Sequence, residues 1–118
     1  MKIEIRRWDN GNLIYTCYDV FSLKEAVEKA VKEKISLAYA NLRNANLKEA
    51  NLVNSNLSNA NLSYSNLTEA NLKGANLEDT YLIESNLSGA DLTGANLAEA
   101  NLKGAVVLVG NTLRIIEV

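Results

Sequence analysis

The sequence predicts an all-β solenoid, a chain that turns a corner every five residues around an aliphatic interior. Three observations predict it. Leu recurs at every fifth position from Leu37 to Leu102, fourteen times without a slip, and Val107 extends the register. A small residue stands two positions before nearly every one, from Ala40 and Ala45 through Ser55, Ser65, Thr80 and Ser85 to Ala100 and Ala105. The residue between the two is usually Asn.

A period of five suits neither a lone helix nor a flat strand. On a helix, residues five apart drift by about 140° and scatter around the surface. On a strand, an odd period sends successive Leu residues to opposite faces. They all point one way only if the chain turns once per unit. Leu and the small residue then lie inside, Asn faces out, and the other two residues form the corner. One coil cannot bury its own Leu, but a neighbour stacked at about 4.8 Å can. A buried Leu contributes about 2 kcal/mol, whereas ordering each residue costs about 1.5 kcal/mol. Hydrogen bonds between coils and close packing must supply the difference.

Residues 1–34 predict a β-hairpin followed by a helix. Lys2, Glu4 and Arg6 alternate with Ile3 and Ile5. Strands over 2–8 and 12–18 would flank Asp9-Asn10-Gly11, a hairpin signal. Trp8, Leu13, Tyr15 and Cys17 continue the apolar pattern, and Tyr18 and the hairpin aromatics are expected in the core beneath the helix. That helix spans 23–34. Ser22 and Glu25 form a capping box, and Phe21 is placed to staple against Ala26. Leu23, Val27, Ala30 and Val31 give an apolar stripe. Glu25–Lys29 and Glu28–Lys32 are favourably oriented surface pairs. This ββα unit would cap the first coil, whose bare edge otherwise invites another chain.

Residues 35–107 carry the repeat. Units such as Ala45-Asn46-Leu47-Lys48-Glu49, Ala70-Asn71-Leu72-Lys73-Gly74 and Ala90-Asp91-Leu92-Thr93-Gly94 resemble the pentapeptide-repeat family. The resemblance implies a right-handed quadrilateral parallel β-helix with about twenty residues per coil, and hence a stack only about 18 Å tall. The departures are Ile35 at the start, Thr80-Tyr81 in the middle and Ala105-Val106-Val107 at the close. They mark the ends and one surface irregularity. Residues 108–118 are β-branched and apolar, with a turn at Gly110-Asn111, and predict a C-terminal strand or hairpin cap. Leu108, Leu113, Ile115, Ile116 and Val118 are candidate dimer contacts. The resemblance implies a homodimer as one of two states, since some family members associate end to end through such a terminus; the other is a terminus that only caps the last coil.

Composition narrows the function. The chain has 118 residues and a net charge of −2, which argues against direct nucleic-acid binding. It has no His, so His-based triads and His metal sites are excluded. Cys17 stands alone, so neither a thiolate cluster nor an internal disulfide can form. It reads as a small buried hydrophobe. A coil filled with Leu offers no cleft in which to shift a carboxylate pKa. No catalytic, cofactor-binding or metal-binding residue is therefore expected, and no enzyme. No apolar run approaches eighteen residues and no signal peptide is evident. A cytoplasmic location without membrane contact is expected.

Function is then expected on the surface. Residues twenty apart stack, which sets Glu49 over Glu69 and Asp79 over Glu99. Tyr39, Tyr64 and Tyr81 are outward or corner positions that could form a binding patch with Ile83 and Val53. These seven acidic and aromatic residues are the candidate interaction surface. The leading reading is a non-enzymatic structural or protein–protein interaction module for an unidentified protein partner. The alternative comes from the resemblance: some pentapeptide-repeat proteins mimic DNA and inhibit DNA gyrase. Residues 35–118 hold eight acidic against five basic residues, and Arg43, Lys48, Lys73 and Lys103 interrupt the negative field.

Overall fold

The structure, a computed structural model, describes residues 1–109 and 112–115. Its regular elements are β1 (Lys2–Arg6), β2 (Leu13–Tyr18), α1 (Leu23–Lys32), β3 (Val106–Val109) and β4 (Thr112–Ile115).

Between α1 and β3 the chain is a stack of turns. In each five-residue unit the N–H after the corner closes back on the Leu carbonyl, as in Ala45 to Leu42 (3.1 Å) and Ala70 to Leu67 (3.0 Å). The second residue after Leu has a left-handed φ, +62° at Asn44 and +58° at Glu69. A positive φ at that position with this hydrogen bond defines a type II turn. Units then stack in layers of twenty residues. Asn41 bridges Asn61, Asn61 bridges Tyr81, and Tyr81 bridges Asn101, all in parallel sense. The Leu42 N–H donates forward to the Asn61 carbonyl (2.8 Å), and the Asn61 N–H donates back to the Ala40 carbonyl (2.9 Å).

This corrects the expected class. An all-β solenoid, a right-handed quadrilateral parallel β-helix, requires parallel strands along its sides. The regular strands are instead confined to two open, two-stranded antiparallel sheets, β1–β2 and β3–β4. Among the described residues the repeats before Val106 contribute no strand, only turns joined by single-residue bridges. The physical reason is the left-handed residue in every unit. It breaks the extended backbone before a second residue can join the ladder.

The interior is aliphatic. The Leu residues from Leu37 to Leu82 are buried, as are Ala40, Ala50, Ala60, Ala70 and Ala75. Where the small residue carries a hydroxyl, Thr80 and Ser85 donate to the Leu77 and Leu82 carbonyls, each at 2.8 Å. The Ser55 and Ser65 hydroxyls are buried without a partner. Leu92, Leu97 and Leu102 are only partly buried, so cover thins towards the C-terminal end.

The hairpin forms with Ile3 opposite Cys17 and Ile5 opposite Tyr15, and its register shifts between Ile5 and Arg6. Its strands are shorter than 2–8 and 12–18, because the chain beyond Arg6 turns to the repeats. Arg7 bridges Ala40, the Asn41 N–H donates to the Arg6 carbonyl (2.7 Å), and the Trp8 N–H donates to the Tyr39 carbonyl (2.9 Å). Ile5 and Cys17 are buried, whereas Tyr18 and Leu13 are exposed, which moves both out of the expected core. The capping box of α1 forms: Ser22 Oγ accepts the Glu25 N–H (3.1 Å), and the Glu25 carboxylate accepts the Phe21 N–H (3.0 Å). The staple does not form, for Phe21 is 86% exposed while Ala26 is buried. Neither expected helix pair is an ion pair. Glu28 instead accepts the Asn51 N–H of the first layer (2.8 Å). The Tyr15 hydroxyl donates to the Glu33 carboxylate, and this bond, aided by burial, raises its pKa well above the usual 10.0. At the other end β3 bridges Asn86 through Val106 and pairs with β4. The turn expected at Gly110-Asn111 lies outside the described residues.

Two substitutions test this interior by urea unfolding. Leu67→Ala should cost about 2–5 kcal/mol. Ser65→Ala, which removes an unpaired buried hydroxyl, should gain about 1 kcal/mol. An exposed interior would make both neutral.

Candidate interaction surface

Six of the seven candidate residues occupy the left-handed corner: Tyr39, Glu49, Tyr64, Glu69, Asp79 and Glu99, with φ between +58° and +65°. Gly74, Gly89, Gly94 and Gly104 take the same position at less cost. A side chain with a Cβ is held there against a penalty of about 1–2 kcal/mol. Tyr81 differs, since it is a bridging residue rather than a corner.

The candidates do not form one patch. The layer spacing places Glu49, Glu69 and Gly89 along one corner, and Tyr39, Asn59, Asp79 and Glu99 along another. A third corner runs Asn44, Tyr64, Glu84 and Gly104. The aromatic residues are fixed by partners that sequence reasoning did not assign to them. Trp8 donates its indole N–H to the Asn59 carbonyl (2.6 Å) and meets Tyr81 edge-on, with centroids 5.4 Å apart at 88°. The Arg7 guanidinium lies 4.2 Å from the Tyr39 ring centre, and that of Arg43 lies 4.6 Å from Tyr64. Glu84, near the Tyr64 hydroxyl, raises the phenol pKa, and Arg43 opposes this less strongly. Trp8, Tyr64 and Tyr81 nevertheless stay 39%, 44% and 38% exposed.

Tyr81 was the available signal for this cluster. Bridging Asn side chains accept an N–H two residues on, as Asn41 does from Arg43 (3.3 Å) and Asn61 from Ser63 (3.0 Å). Tyr cannot make that bond. Its ring provides the seat for Trp8 instead, so the Thr80-Tyr81 departure is where the N-terminal unit grips the repeats.

The acidic residues are less available than their number suggests. Asp91 is held below the ordinary carboxylate pKa, first by the Thr93 hydroxyl and N–H, and it pairs with Lys73 at 3.5 Å. No group of three His, Cys, Asp or Glu among the described residues is placed to hold a metal ion. No helix among them is long and apolar enough to cross a membrane. Of the candidate dimer contacts, Leu108 is 48% exposed. Leu113 and Ile115 fall in β4, while Ile116 and Val118 lie outside the described residues.

A family model described as pentapeptide repeats matches residues 40–79 and 70–106, in eight copies. Two solved structures are similar. A pentapeptide repeat protein (Rfr23) from the cyanobacterium Cyanothece 51142 is 47% identical with a TM-score of 0.62, over 65% of this chain and 52% of that one. A pentapeptide repeat protein of the Arabidopsis thaliana thylakoid lumen is 28% identical with a TM-score of 0.50, over 69% of this chain and 59% of that one. The chain thus spans a little over half the length of these two relatives. No curated protein matches it. The chain belongs to the pentapeptide-repeat family. That family is generally structural and protein-binding rather than catalytic.

The Trp8–Tyr81 contact should show as coupling. A cycle of Trp8→Ala, Tyr81→Ala and the double variant, read by urea unfolding, is expected to give about 0.5–1.5 kcal/mol. Strictly additive losses would mean the rings do not support one another.

Proposed function

We propose that this chain is a protein–protein interaction module that binds a protein partner in the cytoplasm through its aromatic face. Tyr64 and Tyr81 are the central contacts with Trp8, Arg43 flanks them, and Tyr39, Glu49, Glu69, Asp79 and Glu99 are polar or corner contacts further out. In this reading residues 1–34 and 108–118 cap the 35–107 repeats. One observation carries it. The three rings are more than a third exposed, yet Trp8 and Tyr81 pack edge-on against each other and the Arg43 guanidinium lies over Tyr64. Rigid aromatic side chains beside Arg are what binding hot spots are made of, because little rotamer entropy is left to lose.

A second copy is also proposed at the C-terminal end, where Leu92, Leu97 and Leu102 are incompletely covered. Leu108, Leu113, Ile115, Ile116 and Val118 would supply the contacts. Light scattering that reads a monomer at high concentration removes this dimer. Mimicry of a DNA strand is the weaker reading, since Lys73 pairs with Asp91 and Arg43, Lys48 and Lys103 interrupt the negative field.

The test is photocrosslinking in lysate from a reactive residue placed at position 83, between the rings, or at position 71 on another side. Adducts from 83 that disappear in Tyr64→Ala are expected. Equal labelling from both positions, or none from either, overturns the proposal.

A further inference from the structure

The upper rim of the first layer, residues 36–55, is covered unevenly. The Arg6 carbonyl takes the Asn41 N–H, and the Glu28 carboxylate takes that of Asn51. Among the described residues nothing comparable covers the stretch from Val53 to Asn56. One layer further on, the Lys73 carbonyl accepts the Asn54 N–H (2.8 Å), and the Asn76 N–H donates to the Ser55 carbonyl (2.8 Å). The equivalent groups here, the Val53 carbonyl and the Asn56 N–H, have no such backbone partner among the described residues. The chain enters the repeats beside them and turns away. Lys34 is left-handed (φ +61°), and the Ile35 N–H is spent on the Ala30 carbonyl (2.9 Å).

A groove of about 540 Å³ lies there. Val31, Ile35 and Val53 give it partly buried aliphatic lining, Lys32 and Lys34 bring two cations, and no carboxylate lines it. Neither lysine is in an ion pair among the described residues; Glu28 and Glu33 lie on the far side of Lys32, and the groove itself favours an anionic occupant. Free backbone groups along an open rim select for another backbone.

We infer that this groove takes an acidic peptide segment of a partner protein, laid extended along the rim from Val53 to Asn56. The inference rests on the interaction-module reading and adds a second contact site away from the aromatic face. The peptide donates an N–H to the Val53 carbonyl and accepts from the Asn56 N–H, as in strand addition to a sheet edge. An aliphatic side chain rests on Val31, Ile35 and Val53, and carboxylates on either side meet Lys32 and Lys34.

Fluorescence anisotropy on the full chain tests this with a dye-labelled peptide of alternating Glu and Val. A Lys–Val peptide of equal length is the control. Lys32→Gln with Lys34→Gly removes both charges, and the glycine suits the left-handed turn, so the fold is retained and dichroism verifies it. Saturable binding of the Glu–Val peptide alone is expected, at least about tenfold weaker in this variant and unchanged in Lys48→Gln with Lys103→Gln. No saturable binding by the unmodified chain overturns the inference, as does equal binding of both peptides or full affinity in the Lys32/Lys34 variant. Should lysate adducts from position 83 persist while the groove fails, only the groove is lost and the interaction module stands.

Discussion

One backbone constraint governs the rest: every fifth residue must accept a left-handed conformation. At that point the type II turn closes and the next small residue hydrogen-bonds to the preceding Leu carbonyl, as Ala60 does to Leu57 (3.0 Å). Each Leu is thereby aimed inward without help from a helix or a strand. The same residue limits each straight side to a single bridge. Regular strands therefore arise only outside the five-residue register, in β1 and β2, or where it ends, in β3 and β4. The energetic cost falls on corners such as Glu69 and Tyr64 and is spread over many turns. Hydrogen bonds between layers and a largely buried aliphatic interior offset it.

The end units follow from the same geometry. A layer of bridges has an upper rim with donors that the repeat cannot satisfy. The Arg6 carbonyl and the Glu28 carboxylate meet two of them, and the Trp8 N–H meets a rim acceptor, the Tyr39 carbonyl. Trp8 reaches past the first layer to Asn59 and Tyr81, so the hairpin is tied to the second and third layers as well. The rim from Val53 to Asn56 is what this arrangement leaves over. The surface is then of two kinds, aromatic side chains held in place by guanidinium groups and by one another, and backbone left open beside lysines.

Much of this was legible in the sequence, and its limits have physical causes. The Leu and Ala register announced which side chains are inside, and Leu37 to Leu82 are. Ser22 and Glu25 announced the start of α1. The period showed that the chain turns but not how much straight backbone lies between turns, so the β class was assigned too much strand. Phe21 was set against Ala26 by a local rule, yet the helix face at Ala26 is already buried and Phe21 is not. Tyr39, Tyr64 and the acidic residues were legible as corners because they follow Leu at a fixed distance. Their grouping was not, because Trp8–Tyr81 and Arg43–Tyr64 join segments distant in the chain, and no local pattern encodes them.

The corner itself gives the most direct test. Glu69 lies mid-stack with φ +58°, so Glu69→Gly and Glu69→Val separate backbone conformation from side-chain contact. In urea unfolding, Gly should leave stability equal or higher, whereas Val, β-branched and poorly suited to positive φ, should lower it by about 1–2 kcal/mol. Equal stability of the two variants, or a loss confined to Gly, would contradict a fold built on left-handed corners.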